Sequence, residues 1–307
     1  MSSQPMNART LTDPIGNYTM AGRSRHADFG IRSQDTALPN PVPHRHEYFQ
    51  IHVNLAGHTR HMLGGVVRAI EPGTISFVQP YVVHFIPTVP GSRYFLINAD
   101  TRFLYPGTDL DPLDLDARAA LEAPELAPFQ VQEALDFHME GEDLGEIERL
   151  CNGMVLEDTA RAFASTTLIR AALLRLIGLA GNRHGAAIRA LANNAGPRVA
   201  RRRTLSSLVK YLRSHLDQPI SLRDAASAVH LSPTHLAHVI KNETGRTFLD
   251  LLSERRMRRA KELLVHSSLP LADVARRSGF PELSHFSRRF KQLSGITPSR
   301  FRAATQE

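Results

Sequence analysis

Cysteine is almost absent: Cys151 stands alone in 307 residues, so no intramolecular disulfide can form and a reducing compartment is the simplest setting. Its place in an apolar helical pattern makes it a packing residue rather than a nucleophile. Long apolar runs are missing too. The most apolar stretch, 168–180, is broken by Arg170 and Arg175 and falls short of the ~20 residues of a membrane-spanning helix, so it reads as a core or interface helix. The opening MSSQPMNART has no basic segment followed by an apolar run, so it resembles neither a signal peptide nor an anchor, and a cytoplasmic protein with no membrane partner is the expectation. There is no low-complexity tract, no Ser/His/Asp constellation and no Gly-rich phosphate loop, so the chain does not read as an enzyme.

What is present is charge, unevenly placed. The whole chain has a net charge of +7, but residues 198–307 carry 21 Lys and Arg against 9 Asp and Glu, while residues 1–197 carry 16 against 21. A basic segment joined to a mildly acidic body is the footprint of nucleic-acid binding, although a solvated basic surface has the same composition.

The length implies two domains, and the pattern divides the chain further. Residues 1–28, polar and broken by Pro5, Pro14, Gly16 and Gly22, read as a flexible arm. Within 29–140, short β-branched and aromatic runs at 48–51, 66–70, 74–78 and 94–97 indicate a β-sandwich or barrel. Within 141–181, Leu144, Ile147, Leu150, Met154, Leu168, Ala172 and Leu176 recur at helical spacing, as expected of a helical dimerisation segment. Residues 182–203 read as a linker, with Gly185, Gly196, Pro197 and the run Arg201-Arg202-Arg203. The fold class is therefore α+β, ending in an all-α domain over 204–307.

That last segment repeats one grammar. After a helix N-capped at Thr204 and carrying Leu205, Leu208, Val209 and Leu212, Ser221 and Asp224 form a capping-box pattern. Leu231-Ser232-Pro233 then turns the chain into a helix whose buried face holds Leu236 and Ile240. About fifty residues later, Leu271, Val274 and Ala275 precede the turn Ser278-Gly279-Phe280, and Phe286, Phe290 and Leu293 mark the next inner face. Helix, tight turn, helix is the helix-turn-helix order, present here twice. The joining segment, 248–266, carries Arg255, Arg256, Arg258, Arg259 and Lys261, so it can pack both units while presenting positive charge.

The strings Arg258-Arg-Ala-Lys-Glu-Leu-Leu264, Ala272-Asp-Val-Ala275, Ser278-Gly-Phe280, Ser284-His-Phe-Ser-Arg-Arg-Phe-Lys291 and Gly295-Ile-Thr-Pro298, followed by Phe301-Arg302, resemble the AraC/XylS family of bacterial regulators. The resemblance implies a sequence-specific, effector-responsive transcription regulator, more often an activator, with double-stranded promoter DNA, a second copy of itself, a small-molecule effector and RNA polymerase as partners. It puts Thr234, Ala237, His238 and Lys241, with His235 close by, and Glu282, Leu283, Ser284 and Arg288 at the groove. Arg288 is chemically the best base reader of these, since a guanidinium can bond both acceptors of a guanine edge. Lys241, Arg289 and Lys291 suit phosphate.

The N-terminal strings 41–57 and 71–84 resemble the cupin-like sensor domain common in this family. On one regular strand His44, His46, Tyr48, Gln50 and His52 line one surface, joined from another strand by His84, and form a candidate effector pocket. Metal-binding cupins hold a carboxylate where this chain has Gln50, and Glu47 points the other way. No cofactor is therefore expected, with His44, His46 and His84 as the residues for a metal if there is one and structural histidines as the remaining alternative. A metal-dependent cupin enzyme that has kept a DNA-binding module is the competing reading.

Overall fold

The computed structural model describes residues 15–34, 42–87, 89–106, 110–115, 122–192 and 197–306. Two compact units divide the chain, Met1–Arg203 and Thr204–Glu307. The fold is α+β, with the strands in the first unit and only helices in the second.

The first unit's strands are β1 (Gly16–Tyr18), β2 (Phe29–Ser33), β3 (His44–His46), β4 (Phe49–Ala56), β5 (Thr59–Leu63), β6 (Val66–Ile70), β7 (Thr74–Val78), β8 (His84–Phe85), β9 (Arg93–Ala99) and β10 (Phe137–His138). They form two five-stranded sheets, in the orders β1-β3-β8-β5-β6 and β10-β7-β4-β9-β2. Period-2 alternation in the second sheet decides its two faces. Phe49, Ile51 and Val53 of β4, Ile75 and Phe77 of β7, and Phe95, Ile97 and Ala99 of β9 join one apolar core with the helices. Gln50, His52 and Asn54, equally buried, point to the other side.

The helices of this unit are α1 (Met20–Arg23), α2 (Thr101–Leu104), α3 (Ala127–Val131), α4 (Gly141–Ala160), α5 (Ser165–Arg183) and α6 (Gly185–Ala192). Ile147, Cys151 and Met154 of α4 and Ile169, Leu173 and Leu176 of α5 complete the core, and burial pushes the Cys151 thiol pKa up. Arg161, just past α4, bonds Asp158 at 3.0 Å and Asp28 at 3.2 Å, tying the helix end to the start of β2.

The helix α7 (Pro197–Ser214) crosses the boundary between the units, and the second unit holds its remainder with α8 (Leu222–Ala228), α9 (Pro233–Thr244), α10 (Phe248–His266), α11 (Leu271–Arg277), α12 (Leu283–Ser294) and α13 (Pro298–Gln306). Capping boxes start α8 at Ser221/Asp224 and α10 at Thr247/Asp250. Met257, Ala260 and Leu264 of α10 pack against Val274, Ala275, Phe286 and Phe290.

Four expectations are corrected. The arm over 1–28 is structured from residue 15, because β1 pairs in parallel with β3 and α1 buries Met20; residues 1–14 lie outside the described residues. Thr204 is not an N-cap, since α7 already runs from Pro197, a residue suited to a helix start. The stretch read as a linker is helical over α6 and the beginning of α7, with 193–196 outside the described residues. Leu293 is 48% exposed; it lies in the last turn of α12, beyond the packing that buries Phe286 and Phe290.

Candidate DNA interface and ligand-binding interior

The second helix of each helix-turn-helix, α9 and α12, is pinned from behind. Ser232 caps α9 by accepting a hydrogen bond from the His235 backbone N–H at 3.2 Å, Pro233 occupies the first turn, and Leu236 and Ile240 are fully buried. What remains outward is Thr234, His235, His238 and Lys241, with Ala237 half-buried. In α12 the fully buried pair is Phe286 and Phe290, four residues apart. Ser284, Arg288 and Lys291 follow one another at i, i+4 and i+7 on an exposed stripe, with Leu283 exposed and Glu282 at the N-cap. Arg289 is half-buried, and its Nη1 donates to Gln292 Oε1 at 2.7 Å.

The basic residues of α10 divide. Arg255 is buried and donates to its own helix at Leu251 O, 3.2 Å, and Arg256 donates to Leu216 O at 3.1 Å and Gln218 O at 2.7 Å. Arg258 faces Glu254 at 3.6 Å, while Arg259 is half-exposed near Glu262. The expectation that this helix presents positive charge therefore fails for Arg255 and Arg256, whose guanidinium groups serve backbone carbonyls inside the unit.

In the first unit the run 44–52 is not one strand. The chain bends at Glu47-Tyr48 and passes from the first sheet (β3) to the second (β4). His44, His46 and His84 nonetheless meet, with ring centroids 4.3 Å apart for His44–His84 and 4.7 Å for His46–His84. Tyr48 stacks on His46 at 4.2 Å, and Gln50 reaches His84 Nε2 at 3.1 Å and Asn98 at 3.0 Å. His52 is separate: it stacks on Tyr94 at 5.0 Å and lies opposite Ser76, which bonds His61 Nδ1 at 2.9 Å.

Burial holds all of these histidines below the ordinary imidazole range. Burial, the largest cause, takes His44 down to about 4; His46, also repelled by His44, and His52, also repelled by His61, fall to about 3. Nδ1 of His44 and His46 faces the carbonyls of Val42 and Tyr48 at 3.2 and 2.7 Å and donates there, whereas His84 lies between two acceptors, Val82 O 3.0 Å from Nδ1 and Gln50 Oε1 3.1 Å from Nε2. That polarity also suits a metal, but the carboxylate of the cupin set is replaced by Gln50, and among the described residues no group of three His, Cys, Asp or Glu is disposed to hold one. The residues do not fit a metal centre.

Sequence reading missed Arg32, His61, Ser76, Tyr94 and Asn98 as partners of this interior. The available signal was a polar side chain at alternate positions of otherwise apolar strands, as in Tyr94-Phe-Leu-Ile-Asn98.

Comparison with known proteins agrees with this division. An AraC-like ligand binding domain matches residues 30–129, and a helix-turn-helix domain matches residues 225–304. Regulatory protein PocR of Salmonella typhimurium is 34% identical over 103 residues, 34% of this chain and 34% of that protein. The arabinose operon regulatory protein of Escherichia coli is 36% identical over 99 residues, 32% of this chain and 34% of its own length. HTH-type transcriptional activator RhaR of Cronobacter sakazakii is 34% identical over 95 residues, 31% of this chain and 34% of that protein. The chain thus matches about a third of the length of these relatives. No helix among the described residues is long and apolar enough to cross a membrane.

Proposed function

Since the chain belongs to the AraC/XylS family of regulators, we propose that it is an effector-responsive activator that binds double-stranded promoter DNA as a homodimer and acts on RNA polymerase at a bacterial operon, in the cytoplasm. The observation that carries this reading is the pair of helices α9 and α12, each held by a fully buried apolar pair and each presenting an exposed polar and basic face. Thr234, His235, Ala237, His238 and Lys241 form one contact set; Glu282, Leu283, Ser284, Arg288, Arg289 and Lys291 form the other. The first unit senses a small organic effector through His44, His46, Tyr48, Gln50 and His84, with His52 in the adjoining cluster.

Neighbouring charges on α12 have different jobs. Arg288 lies between Phe286 and Phe290 in sequence and so opposite them on the helix, where its guanidinium reaches base edges. Lys291, one turn further, meets phosphate. Arg288→Ala should cost about 1–3 kcal/mol at the cognate site and relax preference at one or two base pairs. Lys291→Ala should weaken cognate and scrambled DNA alike, with a shallower salt dependence. Competition binding at two salt concentrations checks this, and equal losses on both duplexes for Arg288→Ala would remove it from the base readers.

Dimerisation falls to α4 and α5. Leu156 is 71% and Leu168 50% exposed, and both line a groove of about 410 Å³ with Leu150, Met154 and Ala172. Leu156→Glu with Leu168→Glu should convert a micromolar dimer into a monomer in sedimentation. A wild-type protein that sediments as a monomer with and without DNA would exclude this interface.

A further inference from the structure

The alternation that turns Phe29 and Ile31 of β2 to the helices turns Gly30 and Arg32 the other way, into the space between the sheets. Strand register then aligns polar side chains into rows. Gly30, Asn98, Gln50 and Val78 form one; Arg32, Leu96, His52 and Ser76 form the next. Beyond Ser76 the row continues across to the facing sheet through the His61 contact. At a strand spacing of about 4.8 Å, the backbones of Arg32 and His52 stand about 10 Å apart.

Both ends of this row carry unmet demands. Arg32 is half-buried, and among the described residues no carboxylate lies within ion-pair distance of it; its titratable neighbours are the phenols Tyr48 and Tyr94 and a second cation, Arg23. Burial lowers the pKa of its guanidinium, the direction expected of a cation held away from water without a counter-charge. At the other end, His52 and His61 are only 5% and 1% exposed, yet His52 Nδ1 and His61 Nε2 have no hydrogen-bond partner. Buried polar atoms are ordinarily satisfied, so these mark where a bound molecule supplies the partner.

We infer that the first unit takes a small organic anion, a carboxylate bearing a second polar group, with the carboxylate on Arg32 and the polar group on His52 and His61. A guanidinium fork matches a carboxylate with two parallel hydrogen bonds, and one negative charge balances the one cation of the row. A neutral polyol leaves Arg32 uncompensated, and a cationic ligand is repelled by it. The inference rests on the first unit being the effector-binding part of the proposed regulator.

The test uses the full chain and matched probes: lactate, 4-hydroxybenzoate and gluconate against lactamide, 4-hydroxybenzamide and glucose. Calorimetric titration of the unaltered protein should give saturable binding of at least one carboxylate, at least tenfold tighter than that of its uncharged counterpart. Arg32→Gln should remove that difference while leaving the basal affinity for promoter DNA in place. Series in which no carboxylate binds, the uncharged members bind as well, or Arg32→Gln binds the carboxylate undiminished overturn the inference. The two failures separate cleanly. A protein that binds no promoter DNA under any condition refutes the proposed function, whereas retained DNA binding without carboxylate preference refutes only the ligand class.

Discussion

Acidification from pH 7.5 to 5 should remove about 6 kcal/mol from the stability of the first unit, enough to unfold a domain of ordinary stability. Buried imidazoles carry the effect, and the figure counts three of them; burial lowers His61 and His84 in the same direction. The three counted pKa values are depressed in the folded protein, to about 4 for His44 and about 3 for His46 and His52, from the ordinary 6.5 that they regain on unfolding. Between pH 6.5 and the folded values, the unfolded chain binds the protons and the folded chain does not. Stability is therefore fully present above pH 6.5 and falls as the pH drops toward 4. At pH 5 each group is 1.5 pH units below its unfolded pKa, a cost of about 2 kcal/mol apiece at 1.36 kcal/mol per unit. Calorimetry across this range should show proton uptake on unfolding, and His52→Gln should make the pH slope shallower. A melting temperature of the first unit that is level from pH 7.5 to 5 would mean that these rings reach water or a proton acceptor in the folded state.

The parts of this molecule legible in its sequence are those whose signal is local. Ser221 and Asp224 announce the start of α8 within four residues, and the apolar spacing Leu236/Ile240 or Phe286/Phe290 selects the buried side of a helix without reference to distant chain. The misread parts depend on partners far along the chain. β1 is three residues long and becomes a strand only by pairing with β3, 28 residues onward, so polar composition made it look like an arm. His52 shares the parity of His44 and His46 but not their sheet, because the bend at Glu47-Tyr48 carries the chain across the sandwich, an event that period-2 counting cannot register. Arg32 escaped notice because half of its surroundings, Leu96 and Tyr94, belongs to a strand sixty residues later.

Gly279→Ala should destabilise the second unit by about 2–5 kcal/mol, whereas His230→Gly, at the corresponding turn of the first helix-turn-helix, should be neutral or stabilise it by up to about 1 kcal/mol. Gly279 has φ +80°, a left-handed backbone that costs a side-chain-bearing residue about 1–2 kcal/mol. A Cβ there would also fall 2.0 Å from Leu216 O and 2.4 Å from Arg256 Nε, the two atoms joined by the 3.1 Å hydrogen bond that holds the end of α7. Relief would have to move a carbonyl or break that bond, at about 1–3 kcal/mol more. His230 adopts φ +56° with its own side chain, so this turn bears the conformational cost without the collision, and glycine relieves it at the expense of a more flexible unfolded chain. Because α12 follows the Gly279 turn, loss of the turn should also weaken promoter binding, while His230→Gly should leave it intact. Denaturant unfolding at constant m-value and DNA titration of both variants measure the contrast. A Gly279→Ala loss below 1 kcal/mol would show that the Arg256 contact gives way freely and does not constrain the approach of the Gly279 turn to the end of α7.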